Sequence, residues 1–287
     1  MAQVVLIPTG KLEHAALAPA LQRLFPNDDF IPRPKDKSLD GFTSTDVTRI
    51  ELGGSVPTKV EELAAELVAA VVPGRRGKPA DLAVVVEDLE LVNDHQPERV
   101  IQIFRDAVHR HIHKTWNSQQ AQKRALSAVS DRCSFHLLRP MVEAYFFGEP
   151  AALQRAGVAE TPQVPNGLDL ESFQTTDPLF LQLPNSSERI ADMPQRQRHP
   201  KSYLHYLCDP TLADRNRRYR ETLGGAAALK DLDWQKVLVI PPHCPFLHAL
   251  LDDLAAGLDH RLPFVSQDHA HPLTRFPGGK DRLLRNL

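Results

Sequence analysis

An apolar, β-branched run in the first third of the chain ends on three carboxylates. Residues 81–91 read DLAVVVEDLEL, and the acidic side chains at the end of the run are Glu87, Asp88 and Glu90. The run predicts a strand that is buried on both faces, and ligands of open α/β sheets bind beyond the carboxyl ends of such strands. Side chains two residues apart in an extended strand point the same way, so Asp88 and Glu90 could share one hard cation such as Mg²⁺. The alternative is an acidic loop that faces solvent.

A glycine and a lysine follow the first predicted strand, at a place where many proteins bind phosphate. Gly10 and Lys11 precede a predicted helix. Backbone N–H groups at the start of a helix attract anions, and Lys11 would add positive charge. The full P-loop pattern is absent, because no second glycine precedes the lysine at the required spacing and no Ser or Thr follows it. The alternative is a glycine that only the turn requires.

Two histidines one helical turn apart offer a different chemistry. His109 and His113 share one face of a predicted helix and could hold zinc together with further ligands. No HExxH pattern accompanies them, and the alternative is the basic end of a solvated helix. The chain also has no GxSxG motif, so nothing in the sequence indicates nucleophilic hydrolase chemistry.

Basic side chains concentrate in the second half of the chain. If they face the acidic cluster, the site would combine metal-binding carboxylates with phosphate-binding cations. The alternative is that they lie on separate surfaces. The residues are Arg139, Arg196, Arg198, His199, Lys201, Arg215, Arg217, Arg218 and Arg220.

The composition is that of an ordinary globular protein. A chain of 287 residues can form one large domain or two smaller ones. Lys and Arg total 34 and Asp and Glu total 36, so no global basic field indicates nucleic-acid binding. Three scattered cysteines fit a reducing cytoplasm better than a disulfide framework. Without a signal sequence or 18 consecutive apolar residues, we expect a cytoplasmic protein that neither is secreted nor enters a membrane.

Hydrophobic periodicity predicts an α/β fold in which a mostly parallel sheet is flanked by helices. Strands are predicted at residues 4–7, 47–52, 84–86, 135–139 and 237–240. Helices are predicted at residues 11–25, 59–72, 97–113, 118–129, 140–156, 202–207, 217–223 and 244–258, the second of these opened by a capping box of Thr58 and Glu61. Residues 158–198 are expected to be one long irregular segment.

Several segments, in this order, resemble a stand-alone bacterial family with the Toprim (topoisomerase–primase) fold, related to OLD and RloB-type nucleases. The family opens with a strand, a Glu-Gly turn and an acidic helix start, and this chain has IPTGKLE at residues 7–13. The family's second motif is a strand that ends in Asp-x-Asp, matched by VVEDLE at residues 85–90. Its later motifs are matched by RPMVEAYFF at 139–147, HPKS at 199–202 and CPFL at 244–247. The resemblance covers roughly residues 4–256.

The resemblance implies a Mg²⁺-dependent, nuclease-type enzyme that cleaves phosphodiester bonds in nucleic acid, in antiviral defence against phage or mobile DNA. Asp88 and Glu90 would hold the metal, and Glu87 or Glu13 would carry protons. Gly10 with Lys11 or Lys201 would contact the phosphate. It also implies three regions: a Toprim-like α/β core over residues 1–130, a mixed and mainly helical region over 131–266, and a basic extension over 267–287.

One departure from the family supports a second hypothesis. The family's first motif places a general acid–base glutamate where this chain has Thr9, and threonine cannot take up a proton at neutral pH. Asp-x-Asp has also become Asp88-x-Glu90, which still offers oxygen ligands. The alternative is therefore a catalytically lapsed Toprim-like subunit that binds a partner protein, such as an ATPase.

Overall fold

The computed structural model of the chain describes residues 1–52, 57–74, 77–184, 190–214, 216–239 and 244–262. Strands and helices alternate through the first half. These elements are β1 (Gln3–Pro8), α1 (Lys11–Leu24), β2 (Asp29–Pro32), α2 (Val47–Leu52), α3 (Thr58–Val71), β3 (Leu82–Asp88), α4 (Pro97–Thr115), α5 (Gln119–Arg132) and β4 (Cys133–Leu138).

The part of the second half that the structure describes is helical and irregular. Short 3₁₀ turns lie at Val142–Gly148, Leu170–Ser172 and Gln195–Arg198, and a π-helical turn lies at Glu221–Gly225. The α-helices are α6 (Pro150–Ala156), α7 (Pro178–Leu181), α8 (Pro200–Cys208), α9 (Ala226–Lys230), α10 (Trp234–Val239) and α11 (Pro245–Gly257).

The four strands form one parallel sheet in the order β2-β1-β3-β4. The two central strands, β1 and β3, pair from Val4 opposite Leu82 to Pro8 opposite Val86. Each strand is followed by at least one helix before the next strand begins, which gives the crossover connections that parallel pairing requires. The predicted α/β class, with a mostly parallel sheet flanked by helices and a mainly helical second half, is confirmed.

Alternate residues of the central strands supply two separate cores. Val5, Ile7 and Val85 pack on one face with α3, α4 and α5. Leu6 and Val84 pack on the other face with α1 and most of the second half. Because side chains alternate along a strand, each acidic residue at the end of β3 is committed to one face by its position in the sequence.

The sheet extends past residue 130, where the first predicted region ends. That boundary falls in the last turn of α5, and β4 follows directly and pairs with β3. Helix α11 of the second half packs against β4. The division into three regions stays a prediction, and residues 267–287 lie outside the described residues.

The predicted strand at residues 47–52 is wrong, because these residues form α2. Asp46 lies just before the helix, and its carboxylate accepts hydrogen bonds from the backbone N–H (3.0 Å) and the hydroxyl (2.7 Å) of Thr48. This local capping overrides the β-propensity of the valine and isoleucine. The second strand is instead β2, a short strand at the edge of the sheet. Its last residue, Pro32, has no backbone N–H to donate, and an edge strand tolerates this.

Three further sequence-based expectations are also corrected. The predicted strand at 237–240 is helical through residue 239, in α10, and residue 240 lies outside the described residues. The predicted helix at 140–156 divides into a 3₁₀ turn and α6, because Pro150 begins a new helix and cannot continue an old one. Only the end of the predicted helix at 217–223 is helical, and that helix begins at Glu221.

Helix α3 begins without the predicted capping box. Its N-cap is Pro57, and Thr58 is the first helical residue, so the threonine side chain makes no capping hydrogen bond. Proline fixes the backbone of the residue at which the helix starts, and this displaces the cap by one position.

The irregular segment at residues 158–198 is confirmed where it is described, with only short helical turns. Arg196 is fully buried, and its guanidinium donates to the carbonyl oxygens of Ala191 (2.9 Å), Leu181 (3.2 Å) and Leu183. A buried charge is tolerated when its donors are satisfied, and this arginine ties the segment together. Among the described residues, no helix has the length and apolar character needed to cross a lipid bilayer.

Substitution of Gly224 by alanine should destabilise the protein although alanine favours helices. A Cβ at Gly224 would lie 2.6 Å from the carbonyl oxygen of Ala156, on the backbone of α6. We expect Gly224→Ala to lower the free energy of unfolding by roughly 1–3 kcal/mol, measured by urea denaturation. The control is Gly74→Ala, because a Cβ there meets nothing within 4 Å. Equal stability of the two variants would contradict this packing.

Candidate active site

A cavity of about 310 Å³ opens at the carboxyl ends of the two central strands. From these strands the chain leaves to opposite faces of the sheet, and such switch points are where open α/β sheets bind ligands. The cavity is lined mainly by charged and small polar residues. Its charged residues are Glu13, Asp40, Lys59, Asp88, Glu90, Glu143, Lys201 and Glu221.

Asp88, the last residue of β3, is held at the cavity by hydrogen bonds from both sides. Its Oδ1 accepts the backbone N–H of Val142 at 2.9 Å. Its carbonyl oxygen lies 2.7 Å from the hydroxyl of Thr43. The side chain is on the sheet face that carries α1, as strand alternation requires. The sequence prediction that Asp88 lies at a ligand site is consistent with this position.

Glu90 also lines the cavity, but not through the extended backbone that the sequence suggested. The strand ends at Asp88, and Glu90 has a left-handed backbone with φ of +61°. The N–H groups of Leu89 and Glu90 donate to the carbonyl oxygens of Leu138 and Pro140, each at 2.8 Å. These bonds direct the chain after β3 along β4. They also hold Glu90, which is not a glycine, in a backbone conformation that costs about 1–2 kcal/mol. Strained residues of this kind cluster at functional sites.

Glu13 reaches the cavity by folding back over Gly10. The carboxylate belongs to the first turn of α1, and a Cβ at Gly10 would lie 1.7 Å from its Oε2. A larger residue at position 10 would displace the Glu13 carboxylate from this place. Lys11 is exposed and is not among the residues that line the cavity. Gly10 and Glu13 are thus brought to the cavity, and Lys11 is not.

The second half contributes a lysine between two carboxylates. Nζ of Lys201, in the first turn of α8, lies 2.6 Å from Oε1 of Glu221 and 3.9 Å from Oε1 of Glu143. The hydroxyl of Tyr219 lies 3.3 Å from the same Glu143 oxygen. Lys201 was predicted from the sequence. Glu143 occurs in a motif that supports the resemblance, and no sequence signal distinguished Glu221.

Burial and mutual repulsion raise the pKa values of these carboxylates. Burial, then the charge of Glu143, raises the pKa of Glu13 to about 8. The same two causes raise the pKa of Glu90 to about 7. Asp88 has its pKa raised by burial and by Glu13, Glu143 and Glu90. Burial lowers the pKa of Lys201, but Glu143 and Glu221 outweigh it and hold the lysine charged. Glu13 and Glu90 therefore keep protons up to near-neutral pH, and a divalent cation that bound there would displace them.

The carboxylates surround the cavity without forming a compact coordination shell. Within the described ranges, no three His, Cys, Asp or Glu side chains stand in the geometry of a metal centre. The donor set nevertheless consists of hard oxygen ligands, which are the ligands that Mg²⁺ prefers. Lys59 contributes a second cation at the wall, and its Nζ donates to the carbonyl oxygen of Gly41 at 2.7 Å.

Glu87 lies on the opposite face of β3 and does not line the cavity. Its Oε1 accepts the N–H groups of Phe42 (2.6 Å) and Thr43 (2.9 Å), and the Thr43 hydroxyl, which also contacts the carbonyl oxygen of Asp88, lies 2.8 Å away. Burial raises its pKa to about 7, although these hydrogen bonds oppose the shift. Glu87 thus positions the 40–44 segment that forms one wall of the cavity. The structure therefore does not bring Glu87 to the cavity, where a residue that carries protons would have to lie.

Thr9 follows β1 directly and lines the cavity. Its backbone N–H donates to the carbonyl oxygen of Val86 at 3.1 Å, which continues the pairing of the two central strands by one residue. A hydroxyl therefore stands where the resemblance expects a carboxylate. Glu13, one helical turn later, is the carboxylate that α1 brings to this part of the cavity.

Of the described members of the basic concentration, only Lys201 lines the cavity. Arg139 and Arg198 instead bind the carboxylate of Asp94, the former from Nε at 2.5 Å. Arg217 pairs with Asp214 at the surface, and Arg196 is the buried residue described above. Arg215 lies outside the described residues. Of the two alternatives that the sequence left open, the described residues therefore fit separate surfaces better, because Arg139 and Arg198 share Asp94 and Arg217 pairs with Asp214.

The two histidines of the zinc hypothesis lie on α4, on the face of the sheet opposite α1. Burial lowers the pKa of His109, and Asp106 only partly opposes the shift. No third ligand joins His109 and His113 among the residues that the structure describes. The structure gives no support to this hypothesis.

Comparison of the chain with protein-family models, with curated proteins and with solved structures gives no match. The resemblance to Toprim-like proteins therefore stays a prediction. The parallel sheet with flanking helices is consistent with it, and what the site does has to be inferred from its geometry and charge.

Replacement of Glu90 should stabilise the protein in two separable steps. Glu90→Gln removes the repulsion between this carboxylate and Glu143 but keeps the strained backbone. Glu90→Gly also relieves the left-handed strain, and we expect a free energy of unfolding roughly 0.5–1 kcal/mol higher than that of Glu90→Gln. Urea denaturation measures both. If Glu90→Gly were the less stable variant, Glu90 would not be strained.

The raised pKa of Glu13 predicts that stability falls as pH rises from about 4.5 to about 8. The pKa of Glu13 rises from an ordinary 4.5 to about 8 on folding, so in this range the folded state binds more protons than the unfolded state. Its contribution to stability is complete below pH 4.5 and is lost as pH rises through 8. Thermal denaturation in the absence of divalent cations measures the slope. Glu13→Gln should flatten it, whereas Glu62→Gln, at an exposed position, should leave it unchanged.

Proposed function

We propose that this protein is a Mg²⁺-dependent, nuclease-type enzyme that cleaves phosphodiester bonds in nucleic acid. The observation that carries the proposal is the cavity at the carboxyl ends of β1 and β3. There, carboxylates from both halves of the chain and two lysines, Lys59 and Lys201, line the same space. A role in defence against phage or mobile DNA is what the family resemblance implies.

The residues that would hold the metal are Asp88 and Glu90. The charge of Glu143 helps to raise the pKa of both, and the charge of Glu13 helps to raise that of Asp88. Mg²⁺, when bound, supplies charge neutralisation at a phosphate and a more acidic water. The repulsion among the carboxylates is the property that a divalent cation would relieve, so binding would be coupled to the loss of protons from the site.

Glu13 is the residue best suited to carry a proton. Its pKa of about 8 lies near neutral pH, and general acid–base groups act best when their pKa is close to the working pH. Glu13 lies on the first turn of α1, one helical turn after Thr9, and in this proposal it replaces the carboxylate that the family has at residue 9. Lys201 would contact the non-bridging oxygens of a phosphate and stabilise their charge.

Thr9 favours a second candidate function, a catalytically lapsed Toprim-like subunit that binds an ATPase or other protein. In that case Lys201 would permanently compensate the charges of Glu143 and Glu221, to which it is already paired. A lapsed site of this kind should bind no Mg²⁺ at millimolar concentration. Titration calorimetry with Mg²⁺ alone therefore separates the two candidates.

Loss of the Asp88 charge should weaken metal binding without disturbing the fold. Asp88→Asn keeps an oxygen that can accept the Val142 N–H, so the strand end should remain intact. We expect Mg²⁺ affinity to fall on the order of 10- to 100-fold, measured by calorimetry, and metal-dependent cleavage of single-stranded and duplex DNA and RNA to fall with it.

The matched control for this experiment is Asp131→Asn. Asp131 is exposed near the C-terminal end of α5, which leads into the opposite, amino-terminal end of β4. Its replacement should change neither Mg²⁺ affinity nor cleavage. If Asp88→Asn retained full metal-dependent cleavage, the proposed mechanism would be wrong.

A further inference from the structure

We propose that a second cavity, which adjoins the active-site cavity, binds the nucleobase of the nucleotide whose phosphate is cleaved. This inference rests on the proposed function and specifies its substrate class, because a base can enter such a cavity only when it is unpaired. The substrate would therefore be single-stranded nucleic acid or a nucleotide flipped out of a duplex.

The two cavities share a wall. The second cavity also has a volume of about 310 Å³, and Glu90 and Lys201 line both of them. This size is at the lower end of the range for small-molecule sites. With a phosphate beside Lys201, the ribose and base would extend into the second cavity. The carboxylates of the active-site cavity would then lie next to the scissile bond.

The remaining lining of the second cavity suits a flat, partly polar ring. Met141, Ile190 and Ala191 provide apolar surface, and His199, Ser202 and His205 provide polar groups. Nucleobases stack on apolar and aromatic side chains while their edges form hydrogen bonds. The lining is far less acidic than that of the first cavity, since Glu90 is its only carboxylate among the described residues.

His199 is held as a hydrogen-bond donor toward a ligand. Its Nδ1 accepts the backbone N–H of Ser202 at 3.3 Å, as the N-cap of α8. Burial lowers the pKa of His199 to about 4, and Lys201 adds to the shift. The ring is therefore neutral near pH 7, its proton is on Nε2, and Nε2–H can donate to a carbonyl oxygen or ring nitrogen of a base.

Ser202 stabilises the position of the apolar wall. Its Oγ accepts the backbone N–H of Ala191 at 3.0 Å, which fixes the irregular segment against the first turn of α8. Ser202 is itself buried. A wall fixed by hydrogen bonds retains its shape without a ligand, as small-molecule sites commonly do.

Binding of small probes tests this inference without any turnover. The probes are 5′-AMP, adenosine, ribose 5-phosphate and inorganic phosphate, titrated into the full chain by calorimetry at neutral pH. We expect 5′-AMP to bind at least tenfold more tightly than ribose 5-phosphate, and adenosine to bind measurably. Equal affinity for 5′-AMP and ribose 5-phosphate would overturn the inference, because the base would then contribute nothing.

Two variants locate the binding. Ala191→Leu would fill the second cavity and should reduce adenosine affinity at least tenfold while Mg²⁺ affinity stays within twofold. The control is Ala121→Leu, at a half-exposed position near the start of α5. His199→Asn can still cap α8, since asparagine is a good N-cap residue, but lacks the Nε2–H donor, so it should also weaken adenosine binding. Unchanged adenosine affinity in both cavity variants would overturn the inference.

Failure of this inference can be distinguished from failure of the proposed function. If Mg²⁺ binds and nucleic acid is cleaved but adenosine and 5′-AMP do not bind, the base cavity is wrong and the nuclease proposal stands. If adenosine binds in a manner sensitive to Ala191→Leu but Mg²⁺ does not bind, the cavity is supported and the nuclease proposal fails.

Discussion

Repulsion among carboxylates at the carboxyl ends of the central strands is the constraint on which the site depends. Burial and neighbouring carboxylates raise the pKa values of Glu13, Asp88, Glu90 and Glu143, and Lys201 opposes the shift at each of them. Such a concentration of partly buried charge opposes folding. A protein keeps it when the site has a use for the charge, and a cation or a shared proton is the simplest such use.

The surrounding structure supplies the contacts that hold these charges in place. Asp88 is bound by the Val142 N–H, Glu13 lies against a glycine that leaves room for it, and Glu90 is held in a strained backbone by the strand beside it. On the other face of the sheet, Glu87 accepts hydrogen bonds from Phe42 and Thr43, in the segment that forms one wall of the cavity. The buried carboxylates therefore lower the stability of the fold at neutral pH, and the burial of apolar side chains in the two cores compensates for this loss.

The site is complete only when both halves of the chain are folded together. The sheet and α1 bring the first three carboxylates, but the 3₁₀ turn with Glu143, the first turn of α8 with Lys201 and the π-helical turn with Glu221 belong to the second half. The second cavity likewise joins Glu90 to residues of α8 and of the irregular segment. The second half thus forms one side of a cavity whose floor is the sheet.

The sequence by itself determined the central strands, the helices α1, α3, α4 and α11, and the placement of Asp88 at a strand end. Apolar runs and helical periodicity are local signals, and they are strong where an element is buried on a regular pattern. The tertiary structure alone decided which acidic residues meet. Glu87 and Asp88 are neighbours in sequence but face opposite cores, whereas Glu221 joins the site from more than 130 positions away. Residues 47–52 and 237–239 became helices because capping and packing outweigh the weak propensity of a short segment. Contacts between distant residues are properties of the folded chain, and a single sequence does not record them.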